Sequence, residues 1–157
     1  MRLRDAARAW RDARRREAAA LRNAHKQVQW ALSIGIARSS AATIANVARE
    51  SSIRETKMPA TRRIVVGNSD SHKVGVHWRD GVIYPPTLTA QQRREVERAR
   101  RGLERAGDRL GTAREHTAST RKALRAAVIA ARLAKIPDRR IAKVAGIARD
   151  TVSDLGR

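Results

Sequence analysis

Apolar residues recur at three- and four-residue steps along most of the chain, the spacing of one face of an α-helix. Over 2–34 that spacing is kept by Leu3, Ala7, Trp10, Leu21, Ala24, Val28, Ala31 and Leu32. Arg14, Arg15, Arg16 and Glu17 interrupt the stripe, and Gly35 ends it. One long helix is therefore predicted there. A second helix is predicted over 41–50, capped by Ser39 or Ser40, with Ile44, Ala45, Val47 and Ala48 as its apolar face. Ser52-Ile53-Arg54-Glu55 has the spacing of a capping box, so a third helix is expected to start there and to stop at Pro59.

The period then changes from helical to alternating. Segments 63–66, 73–78 and 82–84 read as three short strands, with a loop at 67–71 and a two-residue hairpin turn at Asp80-Gly81. Pro85-Pro86 close this region. Thr89-Ala90-Gln91-Gln92 is another capping box and opens a second long helix. Val96, Leu103, Leu110 and Leu124 follow a seven-residue repeat. Ala99, Ala106, Ala113 and Ala127 follow a second one, three residues later. That is the a/d pattern of a helix seam, weakened at Thr117 and Thr120. Its partner is either helix 2–34 folded back antiparallel or the same helix of a second copy, and a homodimer through 90–127 is the expectation. A break is allowed for at 116–119. Leu124, Val128 and Leu133 would then cover the two short helices that follow.

Those two helices carry the most specific pattern in the chain. Asp138 is placed to cap a helix running to about Ala145. Gly146 ends it where a tight turn needs positive φ, and a further helix spans 149–155. Ile141, Ala145, Ile147, Val152 and Leu155 fall where two steeply crossing helices bury side chains, and small Ala142 sits at the crossing. This set resembles the helix-turn-helix of bacterial resolvases, invertases and small repressors. The resemblance implies that the second helix enters the major groove of DNA. Ala148, Arg149, Asp150 and Ser153 would then meet base edges, and Arg139, Arg140 and Lys143 the flanking phosphates. Residues 44–58 echo the same order of apolar positions, but with a longer turn that lacks glycine. Arg54, Thr56 and Lys57 are the candidate DNA contacts of that second motif. The strands after it have the layout of a wing, but the segment is almost neutral, which favours a small sheet that merely covers a helix.

Composition agrees with a polyanionic partner. The chain has 157 residues and 35 Lys and Arg against 15 Asp and Glu, a net charge of +20. An excess of this size favours DNA, RNA or an anionic membrane surface. No apolar run approaches the roughly 20 residues of a membrane span, so no membrane partner is expected. The first residues lead into a charged helix without an apolar signal core, so a cytoplasmic, nucleoid-associated location is expected. Cysteine is absent and so is Phe, which leaves cores of Ala, Leu, Ile and Val with three Trp as large anchors. His25, His72, His77 and His116 are scattered, and Asp70, His72, His77 and Asp80 read as surface turn residues rather than metal ligands. Glu95, Glu97 and Glu104 alternate with Arg along a helix and read as ion pairs. No catalytic residue, metal or cofactor is assigned, and no enzyme activity is expected.

The expected fold is mainly α, with long helices, helix-turn-helix motifs and a small central β meander. The expected segments are 1–62, 63–86, 87–119 and 120–157. The expected function is sequence-specific binding of double-stranded DNA by a bacterial or phage transcriptional regulator. Two rivals are a packaging protein akin to a terminase small subunit or nucleoid protein, and an RNA-binding protein.

Overall fold

The computed structural model describes residues 2–47, 63–66, 74–78, 81–83 and 88–156, the three short strand segments by their backbone. The chain is mainly α-helical. The elements are α1 (Leu3–Ser33), α2 (Arg38–Ile44), β1 (Arg63–Val66), β2 (Val74–Trp78), β3 (Gly81–Ile83), α3 (Ala90–Leu133), α4 (Asp138–Ala145) and α5 (Arg149–Leu155). The strands form an antiparallel sheet in the order β1-β2-β3. Gly81 pairs with Trp78 and therefore belongs to β3, not to a two-residue turn with Asp80.

Two compact units divide these elements. One comprises Met1–Ala19 with Thr112–Arg157, the other Ala20–Gly111. They do not follow the sequential segments 1–62, 63–86, 87–119 and 120–157, because α1 and α3 each supply residues to both units. In the 20–111 unit, Ala24, Val28 and Ala31 of α1 share a core with Val96, Ala99, Leu103, Ala106 and Leu110 of α3. In the other, Ala6 and Ala7 of α1 share a core with Leu124, Val128 and Ala131 of α3. The heptad seam is thus consumed inside one chain. Val96, Leu103, Leu110 and Leu124 are at most 3% exposed without any second copy. The pattern that suggested a homodimer through 90–127 is satisfied by the other expected partner, the first helix.

Local chemistry explains most of the boundaries. Thr89 and Gln92 make the reciprocal capping box at the start of α3. The Gln92 amide donates to Thr89 Oγ1 at 3.2 Å, and the Thr89 amide to Gln92 Oε1 at 2.9 Å. No break occurs at 116–119, and α3 runs for 44 residues. The Thr117 and Thr120 hydroxyls donate to carbonyls of the preceding turn, Ala113 and His116, at 3.0 Å, so these residues stay within the helix. Gly35 follows α1 with φ 95.

Several expectations need correction. α2 spans Arg38–Ile44 and not 41–50. Its N-cap is Ala37, with no side-chain cap, so Ser39 and Ser40 lie inside the helix. Asn46 turns left-handed at φ 53, and the Val47 amide donates back to the Ala42 carbonyl, which closes the helix early. Leu133 does not cover α4 and α5, and 81% of it is exposed. Leu124, Val128 and Ala131 keep the helical step and point inward, and Leu133 lies two residues past Ala131 on the outer side. Trp10 and Trp30 are not the deepest anchors among the described residues. Trp10 is half-buried with the Arg14 guanidinium 5.2 Å over its ring, and Trp30 is exposed. Among the described residues, the largest fully buried side chains are Leu103, Leu110, Leu124, Ile141, Val28, Val128 and Val152.

Candidate nucleic-acid interface

The polar face that matters most lies on α4 and α5, and its geometry starts from the turn between them. Gly146 ends α4 at φ 64, ψ 42, a left-handed conformation that costs glycine little. The amides of Gly146 and Ile147 both donate to the Ala142 carbonyl, at 2.8 and 3.2 Å. Two further α4-end carbonyls are satisfied from far along the chain. Arg11 Nη1 donates to Ala145 O and to Gly146 O, both at 2.7 Å. A cation at a helix C-terminus also meets the negative end of its dipole.

The start of α4 is fixed by another arginine. Arg132 donates through Nε to Asp138 Oδ1 at 2.9 Å and through Nη2 to Asp138 Oδ2 at 2.7 Å, a two-pronged pair. Asp138 is therefore not the N-cap. Pro137 holds that place without a side-chain bond, and the Asp138 carboxylate is turned to Arg132 instead. The bonded Arg132 holds the Asp138 carboxyl below its ordinary range, with a smaller long-range contribution from Arg149. Arg132 is correspondingly raised by Asp138. Ile141 and Ala145 of α4 and Val152 and Leu155 of α5 are buried against Leu124, Val128 and Ala131, with Ala142 and Ile147 half-buried beside them.

With the apolar side committed, the opposite side is left to solvent. Ala148, Arg149 and Asp150 are exposed at the start of α5, and Ser153 is half-buried one turn later. Arg139, Arg140 and Lys143 are exposed on α4, beside exposed Val144. Six of the ten sequence-predicted contacts thus sit on two consecutive helices of one unit, and a seventh, Ala148, is the N-cap of the second. Arg54, Thr56 and Lys57 lie outside the described residues, as do the wing turns, His72, Asp70 and Asp80. Arg149 is within electrostatic reach of Asp138, yet both oxygens of that carboxylate are already bonded to Arg132. The Arg149 guanidinium therefore stays available to an outside acceptor. The unit carries 18 Lys and Arg against 7 Asp and Glu, a net +11 of the whole chain's +20.

Sequence reading missed Arg11 and Arg132. Arg132 is a basic residue in the last turn of its helix, a recognisable signal, but its acceptor across the turn is not. Arg11 is 134 residues from Ala145, and no spacing rule links them. Among the described residues, no three His, Asp or Glu groups could hold a metal ion, and no helix is long and apolar enough to cross a membrane. No known protein family, curated protein or solved structure matches the chain.

Proposed function

We propose that this chain binds double-stranded DNA in a sequence-specific way through a helix-turn-helix made of α4 and α5, as a bacterial or phage transcriptional regulator. The observation that carries this reading is the pairing of two short helices across a left-handed glycine, with one side buried and the other exposed and basic. In that role α5 lies in the major groove. Arg149 offers two parallel donors to guanine O6 and N7, and Asp150 and Ser153 flank it. Arg139, Arg140 and Lys143 neutralise phosphates on the strand beside the groove. Ala148 gives the backbone close access to the bases. The seam on 90–127 is used within the chain, so this reading includes no dimer through it.

Selection from a pool of random duplexes tests the reading, because a sequence-specific protein enriches one motif and a packaging protein enriches none. Arg149→Ala then costs about 1–3 kcal/mol on the selected duplex and much less on a scrambled one. Arg140→Ala weakens both to a similar degree, since phosphate contacts carry no sequence information. Equal, small losses for Arg149→Ala on the two duplexes would sink the claim that α5 reads bases.

A further inference from the structure

The unit that carries α4 and α5 has a second basic feature, at the opposite end of α5 from Arg149. A groove of about 530 Å³ opens there between α1, α3 and α5. Arg114, Arg121, Lys122 and Arg125 of α3 form one wall, and Glu17 of α1 and Asp154 of α5 stand on the other. We infer that this groove holds the sugar-phosphate backbone of the same duplex whose bases α5 reads, an inference that rests on the DNA-binding reading of α4 and α5.

Spacing is the first support. Residues 114, 121 and 125 are separated by seven and four positions, which keeps them on one side of a helix. The rise from Arg121 to Arg125 is roughly 6 Å, a step on the scale of successive phosphates along a strand. Availability is the second. Arg121, Lys122 and Arg125 are exposed, and none of the three makes an ion pair among the described residues. Position is the third. α5 has seven residues, so its two ends lie roughly 10 Å apart, comparable to the ~12 Å width of the major groove. A helix end seated in that groove brings its other end to the strand that borders it. The field is the fourth. Asp154 sits in the last turn of α5, where no basic residue is present and the helix dipole disfavours an acid. The four cations of the groove outnumber its two carboxylates, Glu17 and Asp154, so its net field favours an anion.

The test uses the full-length protein, a duplex recovered by selection and a scrambled duplex of equal length, at 50 and 200 mM salt. The groove variant combines Arg121→Ala, Lys122→Ala and Arg125→Ala. A control combines Arg93→Ala, Arg94→Ala and Arg98→Ala, exposed residues of the other unit that remove the same charge. Each phosphate contact contributes about 0.9 to the slope of log affinity on log salt, so three lost contacts shrink the affinity loss between the two salts by roughly 40-fold. The expected result is that shrinkage on both duplexes for the groove variant, with the ratio of the two affinities unchanged. The control changes the slope by less than one unit. A variant with Arg121→Lys and Arg125→Lys keeps the wild-type slope, which separates lost charge from lost fold. The inference is overturned by a wild-type slope in the groove variant, or by an equal fall in the control, which would mean net charge alone. A fall in the ratio of the two affinities overturns it as well, because the variant is then disturbing α5. Failure of the base-reading claim shows separately, as an Arg149→Ala variant with an unchanged ratio.

Discussion

Arg132 and Asp138 brace the start of α4, and their chemistry gives the structure a defined pH dependence. The carboxyl of Asp138 lies below its ordinary range because Arg132 bonds to both of its oxygens. A carboxyl with a lowered folded-state pKa stabilises the fold fully above its unfolded value of about 3.9. That contribution is lost as pH falls through the lowered folded value. Urea unfolding of wild type and Asp138→Asn should therefore differ at pH 7 and converge in the most acidic samples that remain folded. An undiminished difference at low pH would place the effect of the substitution outside the ion pair. Gly146 is the second fixed point at this scale. A Cβ there would lie 2.7 Å from Arg11 Nη1, on a backbone at φ 64. Gly146→Ala should cost about 1–2 kcal/mol from backbone handedness alone, read as a lower unfolding midpoint.

The same amino acid has opposite meanings at two places along α3. Gly107 and Gly111 both lower helix propensity, so sequence reasoning treats them alike. A Cβ at Gly107 would meet the Ile44 carbonyl oxygen at 2.5 Å and Ala45 backbone carbons at 3.3 and 3.4 Å. At Gly111 the nearest atom is Asn46 Nδ2, at 4.0 Å. Gly111→Ala should thus stabilise by up to about 1 kcal/mol, and Gly107→Ala should destabilise despite the same gain in propensity. A similar contrast separates two leucines. Leu103 is fully buried in an intrachain core, and Leu103→Ala should cost about 2–5 kcal/mol with a midpoint independent of protein concentration. A midpoint that rises with concentration would instead reveal an interchain seam. Leu133→Ser, on the exposed side, should change stability by no more than about 0.5 kcal/mol.

Legibility in the sequence followed the distance between partners. Thr89 with Gln92, and Gly146 with Ala142, interact within one turn, so residue type and spacing were enough to place the start of α3 and the end of α4. The seam of Val96, Leu103 and Leu110 was legible as a pattern, but its partner was not, because periodicity states that a face is buried and not against what. The early end of α2 was hidden for a related reason. Ile44, Ala45 and Val47 look like a continuing face, and the left-handed turn at Asn46 is decided by the carbonyl that receives Val47. The exposed residues of α4 and α5 could be named from the same pattern that buries Ile141 and Val152. The groove residues Arg121, Lys122 and Arg125 could not, since α1 and α5 complete it from far along the chain.

At the scale of the molecule, the unit bearing α4 and α5 is assembled from both ends of the described chain. Segment 120–157 has the outline of a small independent domain, with three helices and an apolar interior. The structure gives it two essential debts to α1. Ala6 and Ala7 close the core over Leu124 and Val128, with Leu3 and Trp10 at its edge, and Arg11 caps the end of α4. Without them, two short helices of eight and seven residues depend on one face of α3 alone. Isolated helices below about 12–15 residues are marginal in water, and chains below about 40 residues seldom fold without a staple. A fragment of residues 120–157 should consequently show little cooperative melting by circular dichroism. Adding a synthetic peptide of residues 2–19 should raise its helicity in a saturable way, and the same peptide with Arg11→Ala should do so with weaker affinity. A fragment that melts cooperatively alone, with no response to the peptide, would show that α4 and α5 hold their geometry without α1.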